Sequence, residues 1–128
     1  MSDRLTFPRN EELPYQPDST LLLSALRDLR WPVMLDSGIH DGGMIDIICA
    51  DPAVTLVTRG METTIEEQGR ATVETMDPFE LLRGRLGEVT RSFSPLPFEG
   101  GAIGYFGYDL ARRIERLPQL AGDIDKLP

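Results

Sequence analysis

Cysteine and histidine are nearly missing from this sequence: Cys49 and His40 stand alone among 128 residues. A single cysteine excludes an internal disulfide. Cys49 lies in Ile47-Ile48-Cys49-Ala50 and reads as a small buried apolar side chain. No histidine or lysine is near it in sequence to lower its pKa and make a reactive thiol. There is no CxxC pair and no HExxH, so the common zinc signatures are excluded. His40 falls in a turn rich in Asp and Gly and reads as an exposed side chain. Ser37, His40 and Asp41 are too close in sequence for a nucleophilic triad, and no nucleophile elbow accompanies them. Basic residues are also short, at 13 against 21 acidic, for a formal charge of -8. That argues against nonspecific binding to nucleic acid or to an anionic membrane. No apolar run reaches the length of a membrane span, and Met1-Ser-Asp-Arg lacks the apolar region of a signal peptide. A cytoplasmic protein with no nucleic-acid or membrane partner is the expectation.

What the chain does have is concentrated in Leu96-Pro-Phe-Glu-Gly-Gly-Ala-Ile-Gly-Tyr-Phe-Gly-Tyr-Asp-Leu-Ala-Arg-Arg-Ile-Glu-Arg-Leu-Pro118. Pro95, Pro97 and Gly100-Gly101 punctuate its start. The apolar and aromatic run from Ala102 to Tyr108 predicts a buried strand at the centre of the sheet. Gly104 and Gly107 inside it suggest a bulge or a close backbone approach. Asp109 is placed to cap a helix whose apolar stripe is Leu110, Ile114 and Leu117, stopped by Pro118. Gly101, Gly104 and Gly107 are spaced GxxGxxG and lie within the strand, which does not fit a dinucleotide loop. Arg112-Arg113 has the charge to bind a carboxylate, but ion pairing with Glu115 or its neighbours is the ordinary reading.

The rest of the chain supplies helices and short strands. Leu13-Pro14-Tyr15 reads as an edge strand. Asp18 or Ser19 caps a helix with Leu22, Ala25, Leu26 and Leu29 on its apolar stripe, ended by Pro32. Strands follow at 33–35, 45–50 and 54–58, the last with Val54 and Leu56 on one face. Residues 63–66 and 71–75 flank Gln68-Gly69 as a hairpin with one wet face. Glu62, Glu66, Glu67 and Glu74 around it read as a solvated edge. Asp77, Pro78 and Glu80 spell a capping box for a helix burying Phe79, Leu82, Leu86 and Val89. Asp36, Asp41, Asp46 and Asp51 recur every five residues, a period that fits neither a helix face nor an EF-hand loop. Short turns between neighbouring strands favour antiparallel pairing. The expected class is α+β: one domain over 1–128, a largely antiparallel sheet with about three packed helices.

The motif Leu-Pro-Phe-x-Gly-Gly-Ala-x-Gly-x-Phe-Gly-Tyr-Asp-Leu-x-Arg-Arg-x-Glu-x-Leu-Pro resembles the N-terminal region of the chorismate-utilising enzymes. It is most similar to component I of aminodeoxychorismate synthase, also called para-aminobenzoate synthase, and anthranilate synthase component I shares a shorter version. The structural motif residues carried over are Gly100, Gly101, Gly104, Phe106, Gly107, Tyr108 and Asp109. In anthranilate synthases a Leu-Leu-Glu-Ser motif forms part of a tryptophan pocket, and Met34-Leu35-Asp36-Ser37 stands in its place. Ser37 matches the motif serine. Asp36 stands where the family often has Glu or His. Gly42-Gly43-Met44-Ile45 replaces the aromatic and basic residues of tryptophan-binding relatives. The resemblance thus implies a ligand-binding edge at Ser37, Gly43, Met44 and Ile45.

It also implies that the reactive residues lie outside this chain. Chorismate and Mg²⁺ chemistry belongs in the family to a C-terminal region with Pro-Ile-Lys-Gly-Thr, Asp-Arg-Ala-Glu-Asn and Gly-Ala-Pro-Lys segments, none of which occurs here. The expectation is an N-terminal scaffold and effector domain, with no catalytic residue of its own. The whole enzyme would aminate chorismate to 4-amino-4-deoxychorismate on the route to 4-aminobenzoate and folate, with ammonia from a glutamine amidotransferase subunit. The alternatives are the corresponding domain of anthranilate synthase component I and a stand-alone binding module. A scaffold parted from its own C-terminal region exposes apolar surface, which predicts self-association or exchange of an edge element.

Overall fold

The computed structural model describes residues 10–38, 45–88, 96–118 and 122. These fall into two compact units, within 1–53 and 54–128. Among the described residues the elements are two α-helices, five strands in two antiparallel sheets and a 3-10 helix, an α+β fold. No helix among the described residues is long and apolar enough to cross a membrane.

The first unit holds α1 (Ser19–Ala25), β1 (Val33–Leu35) and β2 (Ile47–Cys49). Asp18 caps α1 by accepting the Thr20 N–H at 3.0 Å, the arrangement expected of an Asx residue at this position. The helix stops at Ala25, well before Pro32. Tighter turns follow, with the Leu29 N–H donating to the Leu26 carbonyl at 2.9 Å. Its inward residues are Leu23 and Leu26, while Leu22 and Leu29 of the expected stripe are 45% and 48% exposed. Strands β1 and β2 pair antiparallel with Val33 opposite Cys49. Cys49 is half-buried rather than fully enclosed. Arg30 fastens the strand ends: its Nε donates to Asp51 Oδ1 and its Nη2 to the Pro52 carbonyl, each at 2.9 Å. The Asp51 N–H returns a bond to the Arg30 carbonyl at 2.7 Å. Leu13-Pro14-Tyr15 forms no strand, and Leu13 and Tyr15 are exposed. Pro14 has no N–H to offer a ladder.

The second unit is built on a three-stranded sheet in the order β3-β4-β5: Val54–Arg59, Glu62–Glu67 and Arg70–Glu74. Central β4 alternates, with Thr63 and Ile65 buried and Glu62, Thr64 and Glu66 exposed. The register sets Leu56 and Thr72 on either side of Ile65, so the pleat gathers these side chains onto one face. Enclosing Ile65 stabilises this face by roughly 1.5–3 kcal/mol. The Thr58 and Thr63 hydroxyls bond each other across the ladder at 2.9 Å. The β4–β5 turn has positive φ at both Gln68 (51°) and Gly69 (74°), the type I′ pattern whose twist matches the strands. Of the hairpin carboxylates, Glu62, Glu66 and Glu74 are exposed and Glu67 pairs with Arg85.

Helix α2 (Pro78–Leu86) begins as the sequence spells it. Asp77 Oδ1 accepts the Phe79 and Glu80 N–H groups at 2.8 and 3.3 Å, and Pro78 opens the first turn. Such a cap contributes about 1 kcal/mol. The capping box does not close, because the Glu80 carboxylate turns to Arg83 one turn later. Val89 lies outside the described residues.

The expected central strand does not form. Residues 101–107 belong to neither sheet. Tyr105 and Phe106 are 65% and 66% exposed and Tyr108 is 90% exposed. Phe106 has one aromatic neighbour, Phe79, with ring centroids 5.1 Å apart. A pleated segment becomes a strand only when another offers its backbone groups, and among the described residues none does. Gly104 marks no close approach either, since a Cβ there would meet nothing within 4 Å. Gly100 and Gly101 do carry a backbone demand, with φ of 150° and 138°, where other residues are strained. Beyond them, Tyr108–Arg113 is a 3-10 helix rather than an α-helix, and it is entered from Gly107, not capped by Asp109. Ile114 of the expected stripe is 76% exposed.

Candidate functional site

Ser37 and Ile45, two of the residues singled out for ligand binding, lie at the open end of the β1–β2 pair. Strand pairing stops at Leu35 opposite Ile47, leaving Asp36, Ser37 and Asp46 just past the last rung. Asp36 Oδ1 accepts the Gly38 N–H at 2.7 Å, a local turn that Asp side chains favour. Asp46 gathers three donors. The Ser19 hydroxyl donates to its Oδ2. The Ser37 N–H and hydroxyl reach its Oδ1 at 3.2 and 3.3 Å. The Ser19 hydroxyl first, and then the Ser37 N–H, hold the carboxyl below its ordinary pKa of 3.8 against an opposing effect of desolvation, with the Ser37 hydroxyl adding least. Asp46 thus ties the start of α1 to the strand end. The Ser37 hydroxyl has as its partner a carboxylate at the head of the neighbouring strand. No spacing rule links Asp46 to Ser19 across 27 residues, so the sequence carried no signal for that contact.

Of the four candidate residues, Ser37 and Ile45 are exposed at the two strand ends, Ile45 at 54%. Gly43 and Met44 lie outside the described residues, as do His40 and Asp41. The five-residue aspartate period has structural uses: Asp36 makes a turn, Asp46 takes two serines and Asp51 takes Arg30. Among the described residues no three His, Cys, Asp or Glu side chains converge as a candidate metal site.

The arginine pair is also committed. Arg112 Nε donates to Asp109 Oδ1 at 2.8 Å, and its Nη1 reaches the Leu117 and Pro118 carbonyls at 3.2 and 3.3 Å. Arg113 grips the Gly60 carbonyl with Nε at 3.1 Å and Nη2 at 2.7 Å, clamping the 3-10 helix to the β3–β4 turn. Glu115 is not the partner of either. Both guanidinium groups make structural contacts within this unit. The motif stretch is therefore fastened through its arginines while Tyr105, Phe106 and Tyr108 stay exposed.

No protein-family model matches the chain, and no solved structure matches it. Similarity to whole proteins is extensive. Aminodeoxychorismate synthase component 1 of Salmonella typhimurium is 41% identical over 122 residues, 91% of this chain and 27% of that protein. The Escherichia coli protein of the same name is 39% identical over 88% of this chain and 26% of its own length. Anthranilate synthase component 1 of Acetivibrio thermocellus is 38% identical over 64% of this chain and 17% of its own length. The chain spans about a quarter of the aminodeoxychorismate synthase relatives it matches. The label "component 1" implies a partner component for those proteins. By these matches, the chain belongs to the family of aminodeoxychorismate synthase component 1 and its relative anthranilate synthase component 1.

Proposed function

We propose that this chain is the scaffold and effector region of an aminodeoxychorismate synthase component 1. The whole enzyme would replace the 4-hydroxyl of chorismate with an amino group to give 4-amino-4-deoxychorismate, feeding 4-aminobenzoate and folate synthesis. Ammonia would come from a glutamine amidotransferase partner, and Mg²⁺ would be held by residues outside this stretch. The observation that carries the reading is the extent of the likeness: 91% of the chain aligns with a relative of that name, against 64% with an anthranilate synthase. The structural commitment of Asp46, Arg112 and Arg113 supports a scaffold role. So does the exposed ribbon Tyr105-Phe106, whose cover would come from the rest of the longer protein.

In this reading Ser37, Gly43, Met44 and Ile45 form one wall of a tryptophan-type effector pocket. The chain alone, with chorismate, ammonium and Mg²⁺, is expected to consume no chorismate; turnover would locate the chemistry in these residues. Calorimetric titration with tryptophan tests the pocket separately. Binding that Ser37→Ala weakens supports it, and no heat at millimolar ligand removes it.

A further inference from the structure

Among the described residues strand β5 is an edge, paired on one side to β4 and on the other to nothing, and all five of its residues are exposed. Its two-residue turn closes on a hydrogen-bonded pair, Glu67 with Arg70. Hydrogen-bonded and open rungs then alternate. Arg70, Thr72 and Glu74 spend their backbone groups on β4, so Ala71 and Val73 direct theirs outward. Exposed edges of this kind are templates for another strand.

The sequence of the edge is self-complementary. Reversed about Thr72, Arg70-Ala-Thr-Val-Glu74 sets a basic end against an acidic one. We propose that β5 docks against β5 of a second copy of this chain, antiparallel and centred on Thr72. Thr72 faces its own counterpart. Ala71 and Val73 of one copy exchange backbone bonds with Val73 and Ala71 of the other. Arg70 lies opposite Glu74 at both ends, on the sheet face that carries Thr63 and Ile65. Opposite charges placed directly across a rung stabilise pairing by roughly 0.2–1 kcal/mol each, and like charges oppose it. Sliding the pairing by one rung pair in one direction centres it on Ala71, and in the other on Val73. Either slip loses both charge pairs. Longer slips centred on Arg70 or Glu74 set like charges together. Neither Arg70 nor Glu74 has another ion-pair partner among the described residues. The two-fold arrangement closes on itself, which favours a dimer over an open chain of copies.

Sedimentation equilibrium across a concentration series is the test. The native chain is expected to dimerise. Arg70→Glu and Glu74→Arg, each alone, are expected to lose the dimer, because each opposes like charges at both ends. Mixed in equal amounts, the two variants should dimerise again, since every rung is then oppositely charged. Val73→Pro removes an outward N–H without touching the β4 ladder and should give a monomer with the native circular dichroism spectrum. A native chain that stays monomeric, or a dimer indifferent to the charge variants, overturns the proposal. Charge variants that fail to re-form a dimer on mixing overturn it as well, and this arm does not depend on the proline variant folding.

Discussion

Asp46 is the residue on which the β1–β2 end turns. Three donors from Ser19 and Ser37 favour its charged form, so its folded pKa lies below the ordinary 3.8. The sign of the consequence follows from linkage. A depressed acid contributes stability above its unfolded value, and that contribution is lost as pH falls through the lowered folded value. Carbon-detected NMR titration of the Asp46 carboxyl should give a midpoint below 3.8, and Asp46→Asn should make acid unfolding shallower. A midpoint at or above 3.8 contradicts the hydrogen-bonding account. At this scale the sequence is readable only over short separations. Asp18 and Asp77 are legible as caps because the acceptor and its N–H groups are two or three residues apart. Asp46 with Ser19, and Arg113 with the Gly60 carbonyl, join residues 27 and 53 positions apart, and no local pattern encodes either pair.

Among the elements, the hairpin is the most legible. Gln68-Gly69 between two alternating runs predicts β4 and β5, and the turn has the backbone that such a pair requires. Gln68 remains an imperfect choice, since a non-glycine residue in the left-handed region costs roughly 1–2 kcal/mol and asparagine tolerates it better. Gln68→Asn is expected to raise the melting temperature, with a gain under about 1 kcal/mol. A lower melting temperature would show that the Gln68 side chain contributes more than its backbone strain costs. The glycine-aromatic run at 101–107 is where local pattern misleads. Its composition records a demand for burial, but it names no partner for its backbone. The same composition in a longer protein would read identically whether the partner came from this chain or from elsewhere. The 3-10 helix after it follows similarly: apolar spacing at Leu110, Ile114 and Leu117 suggests an α-helix, but Ile114 finds nothing to pack on and stays exposed.

For the whole molecule, the fold class was readable because two-residue turns favour the antiparallel pairing seen in β3-β4-β5, and the β1–β2 pair is antiparallel as well. The family was readable because one long motif carries it. Of the residues expected to form a ligand edge, Ser37 and Ile45 fall at the two strand ends, and Gly43 and Met44 lie outside the described residues. What this stretch contributes to an enzyme is tested most directly by exchange. A chimera would carry this chain in place of the matching 27% of the Salmonella typhimurium relative. It would then be assayed for product with chorismate, ammonium and Mg²⁺. The account predicts 4-amino-4-deoxychorismate and no anthranilate. A folded chimera that leaves chorismate untouched, or that makes anthranilate, would contradict it.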